Sequence, residues 1–245
     1  MAGNLDFAPI FTPNGTLSQI QYAQKSADNS ATSIGMKSSK GIVLMRQKQK
    51  KSELEITELN KKIRKIKPTI FSTHSGLEVD MIGLESLVSK ELDGHTNYYK
   101  DTVTKTKYVS VLSYYVSLFS RYWNYRPLAL NIISGVYDEA EKSYNVFMTD
   151  TSGHTGSYHA ISTGKGGISA KTELENLELA DMSVLEMVRE GIKIFYKIHD
   201  PLKDLDFEIE IVVLSEETGN MFKRLDKNDF EKFIEEFENM TFDME

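Results

Sequence analysis

Three groups of residues have types and spacings that could do chemistry. His154 and His159 stand five apart and could share a metal. If residues 156–162 form one strand, that separation sends the two rings to opposite faces. His74, His95 and His199 are isolated from them and from each other. Zinc needs three or four ligands, so these histidines favour structural roles, and no metal or other cofactor is expected. Gly164-Lys165-Gly166-Gly167, just ahead of an apolar helical pattern, invites a phosphate-cradle reading. The Walker and dinucleotide fingerprints each need residues at spacings this segment lacks, which favours tight strand-to-helix packing. From Arg46 to Lys67 nine basic residues meet three glutamates, a candidate nucleic-acid footprint. No aromatic residue is interleaved before Phe71, so a stacking platform is missing and a solvated loop and strand edge is the competing reading.

The composition narrows the classes further. The 245 residues contain no cysteine, which removes disulfides, thiolate metal sites and thiol catalysis together. No run approaches the roughly 18 apolar residues of a membrane span, and Met1–Asp6 lacks the pattern of a secretory leader. A soluble, intracellular protein is expected. The formal charge of −7 is uneven, because 14 acidic and 4 basic residues fall between Asp204 and Glu245.

The elements that must position these groups follow from apolar period and turn residues. A Pro13-Asn14-Gly15 turn precedes a short helix through Leu17, Ile20 and Tyr22-Ala23. Strand pairs are expected at 31–37 with 41–46 and at 63–66 with 69–74. Helices at 77–99 and 104–123 come next, the second with Tyr108, Val111, Leu112, Tyr115, Leu118, Phe119 and Tyr122 on one face. Strands at 128–137, 144–149 and 156–162 precede helices at 167–179 and 183–199. Strand 208–214 pairs with 218–224, and a helix at 227–239 closes the chain. No linker or repeat divides the sequence, so one domain over 1–245 is expected. Strand clusters alternating with helix pairs imply an α+β sandwich of two sheets with helices outside.

Ile10-Phe11-Thr12-Pro13-Asn14-Gly15, Leu17 to Ala23, and Thr32-Ser33-Ile34-Gly35-Met36-Lys37 resemble the opening of α-type subunits of the 20S proteasome. Thr16 and Gln21 replace that family's Arg and Glu. Asn60 to Ile63, Ser75-Gly76-Leu77 with Asp80, Arg126-Pro127, Gly135-Val136 with Asp138, and Asp150 to Gly153 continue the likeness in order. Gly164-Lys165-Gly166, Ser169-Ala170-Lys171, Glu173-Leu174-Glu175, Lys193 to Tyr196, His199-Asp200 and Asp206 to Glu210 resemble the subunit type of the seventh α position, which also ends in an acidic tail.

The resemblance implies a four-layer αββα sandwich of the N-terminal-nucleophile hydrolase type. Residues 1–30 would form a gate segment and annex helix, 31–225 the sandwich, and 226–245 the acidic helix and tail. It also implies a non-catalytic outer-ring subunit that serves pore gating and activator docking in ubiquitin-dependent and -independent protein degradation. Its implied partners are other α subunits in a seven-membered ring, β-ring subunits and the C-terminal tails of activator ATPases, in cytoplasm and nucleus; no membrane is implied and nucleic acid is disfavoured. Lys62, Gly76 and Leu77 would line the activator-tail pocket, and Asp6, Pro13 and Tyr22 the gate cluster, with Leu5 where the family has Tyr. The rival enzymatic reading is a threonine hydrolase. Laid over the catalytic relatives of that fold, the nucleophile slot is Ala31, the acid slot is Gln47, and Lys62 falls near the lysine, leaving no nucleophile for a base to activate.

Overall fold

The computed structural model describes residues 10–50, 52, 54–56, 60–200 and 204–242, with the side chains of 238–242 left aside. Helix α1 (Ser18–Asp28) leads into β1 (Ser33–Lys37) and β2 (Gly41–Gln49). The hairpin β3 (Arg64–Lys67) and β4 (Ile70–Gly76) precedes α2 (Glu78–Tyr99) and α3 (Lys105–Arg121). Then come β5 (Leu130–Asp138), β6 (Ser143–Thr149), β7 (Thr155–Tyr158), β8 (Ala160–Thr163), α4 (Gly167–Glu175) and α5 (Val184–Ile198). Strands β9 (Phe207–Ser215) and β10 (Lys223–Arg224) and helix α6 (Lys227–Phe242) complete the chain.

The strands form two five-stranded antiparallel sheets, ordered β10-β9-β2-β1-β8 and β3-β4-β5-β6-β7. The run Gly41 to Met45 is continuously apolar because both of its faces are covered. Ile42 and Leu44 join Phe71, Ile133, Val146 and Val212 between the sheets, while Val43 and Met45 lie beneath α4, α5 and α6 with Ile192, Phe195 and Phe230. On the far side, Met81, Leu84, Tyr108 and Leu112 of α2 and α3 pack on Ile70, Ile132 and Val136. The layers are thus helix, sheet, sheet, helix, the expected sandwich with its N-terminal helix.

Three expectations need correcting. The strand expected at 156–162 is two strands: β7 pairs with β6 in one sheet and β8 with β1 in the other. The chain changes sheets at His159, whose carbonyl accepts from Lys37 N at 2.9 Å. The strand expected at 218–224 is only Lys223–Arg224, since Gly219 and Asn220 both take left-handed φ values of 65° and 56° and turn the chain. Tyr122 does not complete the α3 face. It is the extended residue that ends the helix, with φ −106° and ψ 135°, and it is 53% exposed.

Candidate functional site

Period-two alternation sends the neighbours Arg46 and Gln47 of β2 to opposite faces. Each belongs to a different site. Gln47 lines a cleft of about 150 Å³ with Ala31, Thr32, Lys165, Asp204 and Ser169. The two residues that the overlay puts in the nucleophile and acid slots, Ala31 and Gln47, line one cavity. Its chemistry is quiet. Ala31 offers a methyl group, and its nitrogen is in peptide linkage to Ser30. Thr32 is 2% exposed, and its hydroxyl accepts from Gly166 N at 3.0 Å. Lys165 pairs with Asp204, holding that carboxyl below its ordinary range. Lys62 does not line this cleft.

The glycine segment beside it does what packing requires. Lys165 N donates to Ser30 O at 2.8 Å and Gly167 N to Gly164 O at 2.9 Å, and Gly166 N is spent on Thr32, so three successive amides of the segment serve packing and not a phosphate cradle. Gly164 has φ 96°, and a Cβ there would lie 2.6 Å from Ala31 O.

Arg46 turns the other way and is 5% exposed. Its Nη1 lies 2.9 Å from both ring nitrogens of His74, which is fully buried. Glu78, four residues on, opens α2. Its Oε1 accepts from Arg64 Nη2 at 2.7 Å. Its Oε2 lies 3.1 Å from Lys62 Nζ and 3.5 Å from His74 Nε2, yet neither approach has hydrogen-bond geometry. Arg64 reaches Glu85 at 3.4 Å, i, i+7 from Glu78 on one helix face. Glu210, across the ladder from Arg46, accepts from Lys62 N at 2.7 Å and Arg224 Nε at 2.8 Å.

Burial first, and the Arg46 charge second, push His74 down to about 4, so it stands neutral between a cation and an anion. Burial lowers Arg46 to about 10, against the attraction of Glu78 and Glu210. Burial would raise Glu78, but His74, Arg64 and Lys62 outweigh it and hold the carboxyl well below its usual range. Glu85 is raised, burial exceeding the pull of Arg64.

Gly76 and Leu77 border this network. Gly76 has φ 122°, and a Cβ would meet Ala129 O at 1.8 Å, so only glycine fits. Leu77 N donates to Ala129 O at 3.0 Å, which fixes the start of α2 while the Leu77 side chain stays exposed. Asp80 anchors the same turn: its carboxylate takes Arg126 Nη1 at 2.7 Å and Ala129 N at 3.0 Å. Lys62, Gly76 and Leu77 are thus brought to one place. Pro13 and Tyr22 are both exposed, with no hydrogen bond joining them; Asp6 and Leu5 lie outside the described residues. Glu78, Arg64, Arg46 and His74 are the functional candidates that sequence reasoning missed.

The remaining candidates disperse. His154 and His159 are exposed on either side of β7, and among the described residues no cluster of three His, Asp or Glu could hold a metal. The basic segment is largely compensated: Lys48 faces Glu208, Lys67 pairs with Asp93, and Arg46, Lys62 and Arg64 belong to the network above.

Residues 27–214 match the Proteasome subunit family. A curated relative from Encephalitozoon cuniculi, a probable proteasome subunit alpha type-7, is 37% identical over 240 residues and 98% of each chain. The chain belongs to the α-type proteasome subunits. The alpha type-3 subunit of Acanthamoeba castellanii is 33% identical over 94% of each chain. The probable alpha type-7 subunit of Saccharomyces cerevisiae is also 33% identical, over 86% of this chain and 74% of its own. This α-type subunit is accordingly part of the 20S core that carries out protein degradation, and it assembles with other proteasome subunits.

Proposed function

We propose that this chain is a non-catalytic member of the outer α ring, at the seventh position, and that it docks the C-terminal tails of activators. The observation that carries docking is the convergence of Lys62, Gly76 and Leu77 at the start of α2, where a lysine stands beside an exposed apolar side chain. A chain-terminal carboxylate would pair with the Lys62 ammonium by a charge-assisted hydrogen bond, while Leu77 receives an apolar side chain of the tail. The absence of a nucleophile at Ala31 and of an acid at Gln47 supports the non-catalytic reading. Asp6, Pro13 and Tyr22 would contribute to the pore gate, in a particle of the cytoplasm and nucleus.

The docking test is binding of a peptide with a free C-terminal carboxylate to the assembled particle, read by photocrosslinking to this chain and compared with the C-terminal amide. Lys62→Ala should erase the preference for the free acid; a preference that survives contradicts docking at Lys62. For the gate, Asp6→Asn should change basal or activated peptidase rates, and unchanged rates would remove Asp6 from that role.

A further inference from the structure

The Lys62 ammonium is not vacant. Its nearest carboxylate is Glu78, at 3.1 Å, and the contact lacks hydrogen-bond alignment, leaving Oε2 buried without a hydrogen-bond partner. Glu78 cannot swing away freely, since Arg64 holds its other oxygen at 2.7 Å and Arg64 is itself engaged by Glu85. The pair is partly shielded from water, the side chains of Lys62 and Glu78 being 20% and 27% exposed. Cationic donors are in surplus here, because the Nε atoms of both Arg46 and Arg64 are buried without hydrogen-bond partners. Beside the pair, Leu77, Val79 and Ile82 expose apolar surface, with Ile82 one turn from Glu78 along α2.

We infer that Glu78 is an internal competitor for Lys62 and thereby sets how readily a peptide C-terminus docks there: the free carboxylate must displace Glu78, aided by an apolar side chain buried against Leu77. The exchange is simple. Lys62 Nζ leaves Glu78 Oε2 for the incoming carboxylate, and Glu78 stays neutralised by Arg64. A tethered carboxylate acts at high effective concentration, so a tail that brings charge alone gains little, and one that adds apolar burial prevails. Specificity comes from the repulsive element as much as from the attractive one. This inference rests on the docking reading above.

The experiment uses the assembled particle and a fluorescent peptide ending in two leucines, one of them photoactivatable, as free acid and as amide. Crosslinking to this chain is followed against peptide concentration. Glu78→Gln should half-saturate at an about five- to tenfold lower concentration of the free acid than wild type. Glu85→Gln, which removes the other partner of Arg64 without touching Lys62, should leave it unchanged. Glu78→Asp keeps a charge for Arg64 but withdraws it from Lys62; it should shift in the same direction, and it covers a Gln variant that fails to enter the particle. If Lys62→Ala loses acid-over-amide preference but neither Glu78 variant tightens binding, the competitor is refuted and docking stands. An equal gain in Glu85→Gln also overturns it, as general electrostatics. If Lys62→Ala keeps the preference, docking itself fails and the competitor with it.

Discussion

Two adjacent residues of β2 open onto two very different sites. Gln47 faces a cleft in which neither it nor Ala31 offers a nucleophile or an acid, and the charges there, Lys165 and Asp204, pair off with each other. Arg46 faces a network in which Lys62, Arg64, His74, Glu78 and Glu210 are closely coupled. The same strand thus borders a cleft whose charges pair off and a charge-dense network within a single residue's step. In the cleft, a polar group such as the Thr32 hydroxyl satisfies the backbone, accepting from Gly166 N. Where charges are kept half-buried, they sit in an environment that makes each one matter.

That contrast can be broken by mutation. Arg46→Ala should have the largest effect, about 4 kcal/mol, because it leaves buried partners without their cation; thermal denaturation of the particle and recovery of the chain within it would show the loss. A variant that behaves like wild type would mean the network is ornamental.

Acid should come next. His74 has its folded value pushed down to about 4 from about 6.5 when unfolded. Between those limits the unfolded chain binds more protons, so stability is intact above pH 6.5 and falls as pH drops towards 4, by about 3 kcal/mol in all. Glu78, depressed in the fold, adds a further loss only below about pH 4.5. Amide exchange of β4 and the start of α2, corrected for its intrinsic pH dependence, should report opening in this window, and His74→Gln should flatten the trend. Exchange around Ala31 and Gln47 should not follow it.

Gly76→Ala should cost about 2–3 kcal/mol through its left-handed backbone and the clash with Ala129 O, seen as a lower melting temperature. The smallest effect belongs to the cleft. Gln47→Ala, on the partly exposed side of β2, should cost about 0.5 kcal/mol, and Ala31→Thr should create no peptidase activity, since the required amine remains in a peptide bond.

Much of this architecture was legible in the sequence. The apolar run of 41–46 marked strand β2 and its pairing with β1, and Tyr108, Val111 and Leu112 marked the buried side of α3. The sheet change at His159 was hidden because both halves of that segment have strand character and no glycine or proline separates them. Around the start of α2, Lys62, Gly76 and Leu77 were named through the resemblance, but the ion-pair network beside them was not. Arg46 was counted with a basic surface run although Ile42, Leu44 and Arg46 share one parity, which would have pointed it inward. Glu78 and Glu85 share a face of α2, and that spacing was a usable signal for a cation between them. Which cation reaches them depends on a hairpin register that sequence period does not fix.

The central claim is that this chain works as a structural ring subunit and not as a free enzyme. Native mass spectrometry of the endogenous protein, captured through a C-terminal tag, tests it most directly. The account predicts a particle of α-type and β-type proteasome chains in which this chain is present twice and unprocessed at Ala31. A monomer or small homo-oligomer, or a mature form cleaved to expose Thr32, would contradict it.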